Sequence, residues 1–192
     1  MKLYCATGNP GKIREFALAD PAIEIEPLAN FASLPWVEET GATFEENAIL
    51  KAVGYGVFAD GLLFAEDSGL EVDALGGAPG VYSARFAGPS ANDSENNALL
   101  IERLRGSENR AARYVCVIAL AADGKLVETF RGEVEGRILE SPRGHGGFGY
   151  DPYFFYPPFG CTFAEVPAER KFDVSHRGEA LRKLAAYLSR LS

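Results

Sequence analysis

The spacing of apolar and polar residues changes period several times along the chain, and each change predicts an element. Residues 2–6 (KLYCA) read as a short strand, and KIREFALAD, after a glycine loop, reads as a helix. A proline-containing loop is predicted over residues 27–42 (PLANFASLPWVEETGA). TFEENAILKAVGYGVFAD predicts a capped helix. Thr43 suits the N-cap, and Glu46 three residues on completes a capping box. Phe44, Ala48 and Ala52 lie along one face of that helix, and Asn47 and Lys51 share another.

LLFAED then reads as a strand whose C-terminal end carries acids, followed by the glycine-dense LGGAPGVYSARFAG. NDSENNALLIERL predicts a helix. YVCVIALAA and LVETFRGEVEGRIL predict a hairpin turned at Asp123-Gly124. PRGHGGFGYDP is a loop. SHRGEALRKLAAYLSRL closes the chain as a helix capped by Ser175, with Leu181, Leu184, Ala185, Leu188 and Leu191 as its apolar stripe. Helices and strands mixed without regular alternation predict an α/β fold with a mixed sheet, and 192 residues suit a single domain spanning 1–192.

Composition narrows the chemistry. The formal net charge of −8 argues against duplex nucleic acid as a partner, since such binding rests on a positive surface. No apolar run approaches the ~20 residues that span a bilayer, and the N-terminus lacks a leader pattern, so no membrane association and a cytoplasmic location are expected. Cys5, Cys116 and Cys161 show no metal spacing and are expected to be reduced and structural. With only His145 and His176 available as histidines, a metal is expected to be held by carboxylates, which favours magnesium or manganese.

Five segments mix glycine with charge in a way that core packing does not require. ATGNPGK, residues 6–12, resembles a phosphate loop, but against the G-x-x-x-x-G-K-[ST] pattern Ala6 and Ile13 stand where the first glycine and the metal-binding hydroxyl belong. It suits either a phosphate cradle ending in Lys12 or a tight turn with an exposed lysine. EETG, from Glu38 to Gly41, reads as a solvated turn or an acidic ligand. Glu66 and Asp67 end a strand, where acids can hold a metal or orient water; Ser68 and Arg85 follow as phosphate partners. In GGFGYDP, Phe148 and Tyr150 can stack on a base or anchor the loop to the core, and Asp151 can accept from a base edge or sugar. His176 and Arg177 open the last helix, where free N–H groups favour an anion or a carbonyl oxygen. Together these supply phosphate contacts, metal carboxylates and a base pocket, the equipment of a nucleoside triphosphate site with Mg²⁺.

These segments, in order, resemble the inosine triphosphate pyrophosphatase family over essentially the whole chain: ATGNPGK, EETGATFEENAILKA, AEDSGLEVDALGGAPGVYSAR, GGFGYDPYF and K-x-x-x-SHRGEAL. Glu66, where many relatives carry Asp, and the spacer Phe172–Val174 are the departures. The resemblance implies hydrolysis of non-standard purine nucleoside triphosphates (ITP, dITP, XTP) to the monophosphate and pyrophosphate, cleansing the nucleotide pool. It implies an elongated mixed-sheet α/β fold with two lobes around a central cleft, and a homodimer. Thr7, Gly8, Asn9, Pro10, Gly11, Lys12 and Lys51 match its phosphate contacts, and Ser68 a substrate contact. Asp67 matches the catalytic acid, which binds metal and takes the water's proton; Glu39 matches a second metal carboxylate, for Mg²⁺ or Mn²⁺ as a substitute. Phe148, Gly149, Tyr150, Asp151, Lys171, His176 and Arg177 match the nucleotide pocket.

Base choice is expected at the purine 6-position, where donors such as Arg177 or His176 meet a carbonyl but would face an amino group unpaired. Two other readings stay open on the residues alone: a non-catalytic nucleotide sensor, and a phosphatase releasing orthophosphate.

Overall fold

In the computed structural model, which describes residues 2–191, strands β1 (Lys2–Cys5), β2 (Glu24–Pro27), β3 (Leu62–Val72), β4 (Ala111–Ala122), β5 (Lys125–Ile138), β6 (Phe154–Tyr156) and β7 (Cys161–Thr162) form a sheet. Its order is β2-β1-β3-β4-β5-β6-β7. β1 runs parallel to β2 and β3, while β6 runs antiparallel to β5 and β7, so the sheet is mixed as expected. The helices are α1 (Pro10–Phe16), α2 (Phe44–Gly56), α3 (Asp93–Arg103), α4 (Ala168–Val174) and α5 (His176–Leu188).

The chain divides into two compact units. The first comprises Met1–Asp67, Cys116–Gly132 and His176–Ser192; the second comprises Ser68–Val115 and Glu133–Ser175. In the first, Leu3, Leu63, Phe64, Ile118 and Leu120 are fully buried strand residues. α2 adds Phe44, Ala48 and Ala52, the face its period predicted, and α5 adds Leu181, Leu184 and Leu188. Leu191 falls beyond α5 and is exposed. The close approach of α5 to β5 explains Gly132: a Cβ there would lie 2.1 Å from the His176 carbonyl oxygen. In the second unit, Leu70, Leu100, Leu104, Tyr114, Phe154 and Phe163 belong to one core cluster, with the Tyr114 and Phe154 rings 4.5 Å apart.

Local chemistry sets most boundaries. Thr43 accepts from the Glu46 N–H at 3.1 Å and Glu46 accepts back from Thr43, the predicted capping box. Asn92 and Glu95 repeat the device at the start of α3. Asp123 and Gly124, with φ 51 and 70, form the two-residue turn between β4 and β5.

Four features depart from the sequence pattern. α1 begins at Pro10 rather than Lys12 and stops at Phe16, because Pro at the first position is preorganised for a helix and Asn9 caps it. β3 continues five residues past Asp67, so Glu66 and Asp67 sit inside the strand rather than at its end. The segment read as beginning a loop at residue 27 contains the end of β2, which pairs with β1. α4 occupies the stretch carrying Lys171, with Pro167 before it.

Candidate active site

The first unit gathers most of the charged candidates. The Asn47 side chain is central to their placement. Its Oδ1 accepts from the Gly41 N–H at 2.8 Å, and its Nδ2 donates to Asp67 Oδ2 at 3.3 Å. The Ala42 N–H donates to Glu46 Oε2 at 2.6 Å, so the start of α2 fixes the preceding EETGA loop that carries Glu39. One turn along α2, the Lys51 ammonium donates to Glu39 Oε2 at 2.8 Å and to Asp67 Oδ1 at 3.1 Å. Two carboxylates from separate segments therefore converge on one cation.

The adjacent Glu66 has a different set of partners. Its Oε1 pairs with Lys12, and its Oε2 accepts from the Cys116 thiol at 3.0 Å and from Arg177 Nε at 3.3 Å. Arg177 Nη1 also pairs with Glu15. The network joins α1, β3, β4 and α5, and Arg177 within it is 1 % exposed.

These surroundings set the titration of each group. Burial pushes the Glu66 carboxyl up, but Arg177 and Lys12, helped by the Cys116 thiol, outweigh it and hold Glu66 well below the usual carboxylate range. For Asp67 burial wins: its carboxyl is raised, with Glu39 adding to the rise and Lys51 and Lys12 opposing it. Burial lowers Lys51, but Asp67 and Glu39 more than compensate, so its ammonium is held charged.

The glycine loop differs from a bare anion cradle. Asn9 Oδ1 accepts from the Gly11 N–H at 2.8 Å and the Lys12 N–H at 3.3 Å, and Thr7 Oγ1 accepts from the Asn9 N–H at 3.2 Å. The Gly11 and Lys12 N–H groups are thus committed to the cap; Thr7, Gly8 and Pro10 complete the turn, and Lys12 leaves it towards Glu66.

The second unit holds another group. The Lys171 ammonium donates to Asp151 Oδ2 at 2.6 Å and lies 4.8 Å from the Phe148 ring centroid. The Phe148 N–H also donates to Asp151 Oδ2, at 3.0 Å, and the Tyr114 hydroxyl donates to Oδ1 at 3.2 Å. Gly147 is required here twice over: its φ is +69, and a Cβ would fall 2.0 Å from Asp151 Oδ2. The Tyr150 hydroxyl donates to the Ser83 carbonyl at 2.7 Å, which fixes the loop to the turn after β3. Ser68 follows Asp67 on β3, and the Arg85 guanidinium lies 5.3 Å from the Tyr82 ring centroid.

The structure thus brings together Lys12, Glu39, Lys51 and Asp67 in the first unit, and Phe148, Asp151 and Lys171 in the second. His176 and Arg177 open α5 as expected and are both buried; the Arg177 guanidinium is directed into the Glu66 and Glu15 pairs. Sequence reasoning passed over Asn47, Glu15, Cys116 and Tyr114 as site residues. Only Asn47 carried a signal, its four-residue spacing from Lys51.

The donor set suits a hard cation. Glu39 and Asp67 offer oxygen atoms, and the ammonium of Lys51 already sits between them. Among the described residues no three His, Cys, Asp or Glu side chains gather as a metal cage. Magnesium accepts such a set, taking one or two carboxylates and filling its octahedron with water and substrate phosphate oxygens.

Comparison with known proteins decides the family: the Ham1 family model matches residues 3–187. The chain belongs to the Ham1 family. A relative described as a dITP/XTP pyrophosphatase, from Exiguobacterium sp., is 53 % identical over 188 residues, covering 97 % of this chain and 96 % of its own. Another so described, from Thermus thermophilus, is 54 % identical over 189 residues, covering 96 % and 90 %. The solved Staphylococcus aureus Ham1 protein superposes with a TM-score of 0.89 at 38 % identity and full coverage of both chains.

Proposed function

We propose that this Ham1 protein hydrolyses non-standard purine nucleoside triphosphates, dITP, ITP and XTP, to the monophosphate and pyrophosphate. The observation that carries the reading is the convergence of Glu39 and Asp67 on the Lys51 cation, next to the Lys12–Glu66 pair. Such a set serves phosphoryl chemistry, where positioning and charge neutralisation supply most of the rate. The names of the relatives from Exiguobacterium and Thermus supply the substrate class.

In this reading Glu39 and Asp67 hold Mg²⁺, with Mn²⁺ as a substitute. When bound, the metal neutralises phosphate charge. Asp67 orients the attacking water and takes its proton, a role its raised titration suits. Lys12 and Lys51 exchange their carboxylate partners for phosphate oxygens, with Thr7 to Gly11 shaping the turn beneath them. Phe148 stacks on the purine, Gly149 and Tyr150 complete that loop, and Asp151 and Lys171 bind the base edge or sugar. Ser68, His176 and Arg177 complete the nucleotide contacts carried over from the resemblance; with its guanidinium paired to two carboxylates, Arg177 reads the 6-carbonyl only if one pair gives way.

We also propose a cytoplasmic homodimer with no nucleic-acid or membrane partner. Free Cys5, Cys116 and Cys161 favour a reducing compartment, and exposed Trp36, Val57 and Phe58 favour a partner surface. Among the described residues no helix is long and apolar enough to cross a membrane.

Steady-state rates on dITP, XTP, GTP and ATP, with Mg²⁺ and with a chelator, test the function. The 6-oxo non-standard substrates are expected to dominate and the chelator to abolish turnover. Tight binding of dITP without turnover would favour the sensor reading.

A further inference from the structure

Helix α3 holds the backbone of one residue of the 147–151 loop, Gly149, at both its N–H and its carbonyl. The Gly149 N–H donates to Asp93 Oδ2 at 2.7 Å, and the Gly149 carbonyl accepts from Asn97 Nδ2 at 2.9 Å. The same Nδ2 donates to the Asp93 carbonyl at 2.7 Å, so the two grips are joined. Asp93 and Asn97 are four residues apart and share a helix face.

The helix itself does not call for this arrangement. Asn92 already caps α3, with Glu95 closing the capping box and supplying a first-turn acid. The Asp93 carboxylate instead reaches a loop 56 positions away. Gly149 has φ +62, and no atom would crowd a Cβ there, so the glycine serves the backbone conformation that the two hydrogen bonds select. On either side of Gly149 in the chain stand Phe148 and, two residues on, Asp151, whose carboxylate accepts from the Phe148 N–H.

We propose that Asp93 and Asn97 are positioning residues for base recognition, locking the 147–151 loop in the conformation in which Phe148 and Asp151 receive the purine. This rests on the assignment of that loop to the base. A loop released from α3 samples other backbone conformations, so purine affinity falls while the phosphate contacts, supplied by other segments, keep theirs.

The experiment compares product inhibition by IMP, which carries the base, with inhibition by pyrophosphate, which does not. Asp93→Ala is expected to raise the IMP inhibition constant about tenfold, the effect of losing one hydrogen bond to a charged group, and to leave the pyrophosphate constant unchanged. Asp93→Asn keeps an acceptor without the charge and is expected to recover most of the IMP affinity. Asn97→Leu, which leaves the helix start intact, is expected to weaken IMP in the same selective way. Equal weakening of IMP and pyrophosphate, or an Asp93→Asn variant no better than Asp93→Ala, overturns the proposal in favour of a helix-stabilising role. Phe148→Ala separates the two claims. If it leaves IMP inhibition unchanged, the base assignment fails and the proposal with it. If it weakens IMP while Asp93→Ala and Asn97→Leu do not, the positioning role alone fails.

Discussion

Glu66 and Asp67 are consecutive on β3, and their surroundings drive the two carboxyls in opposite directions. Side chains alternate across a strand, so neighbours face different partners. Glu66 meets Arg177, Lys12 and the Cys116 thiol and is held ionised; Asp67 meets Asn47, Lys51 and nearby Glu39 and is raised. Carboxyls pushed apart in this way divide their work between a fixed charge and a proton acceptor.

The fixed charge has a stability signature. A carboxyl depressed in the folded state contributes stability above its unfolded value, near 4.5 for Glu66, and that contribution is lost as pH falls through the folded value. Glu66→Gln, which leaves Arg177 and Lys12 short of a buried counter-charge, is expected to cost about 3–5 kcal/mol at neutral pH. The gap from the parent protein should narrow as pH falls below the ordinary glutamate value. Urea unfolding at a series of pH values measures it; a constant gap would show that Glu66 acts through packing alone.

The proton acceptor has a kinetic signature. Asp67→Asn keeps the shape and an acceptor for Asn47, and should lower kcat by about 10²–10⁴ with little change in melting temperature. Near-normal turnover would remove Asp67 from the base role.

Asn47 holds both Asp67 and the loop bearing Glu39. Asn47→Ala strands the Gly41 N–H and removes one donor from the Asp67 carboxylate, which keeps its Lys51 pair. A loss of about 1–3 kcal/mol in stability is expected, together with a kcat loss larger than any change in KM. A stability loss with unchanged kcat would make Asn47 a scaffold residue only.

Gly147→Ala places a methyl group against Asp151 Oδ2 and forces a left-handed backbone on a residue with a side chain, at about 1–2 kcal/mol. Asp151 must move away from Phe148 and Lys171. Raised KM for dITP, with pyrophosphate inhibition unchanged, is the expected pattern, measured by steady-state kinetics.

Much of this was legible in the sequence where local chemistry decides. Thr43 with Glu46, the Asp123-Gly124 turn and the Phe44, Ala48, Ala52 face are short-range patterns, and each stands as read. β2 was not legible because four residues with little apolar content become a strand only by pairing with β1. The extension of β3 past Asp67 was hidden by Ser68 and Gly69, which mimic a turn. In the site, the residue types were readable, but their partners were not. Nothing near Arg177 in sequence points to Glu15, 162 positions away, or to Cys116 beside Glu66. Long-range ion pairs are set by tertiary packing, which a single sequence does not print.

The products that leave the site distinguish a pyrophosphatase from a phosphatase. Phosphorus NMR of a dITP reaction with Mg²⁺ should show one pyrophosphate for each dIMP formed and no orthophosphate. Orthophosphate with dIDP would contradict it.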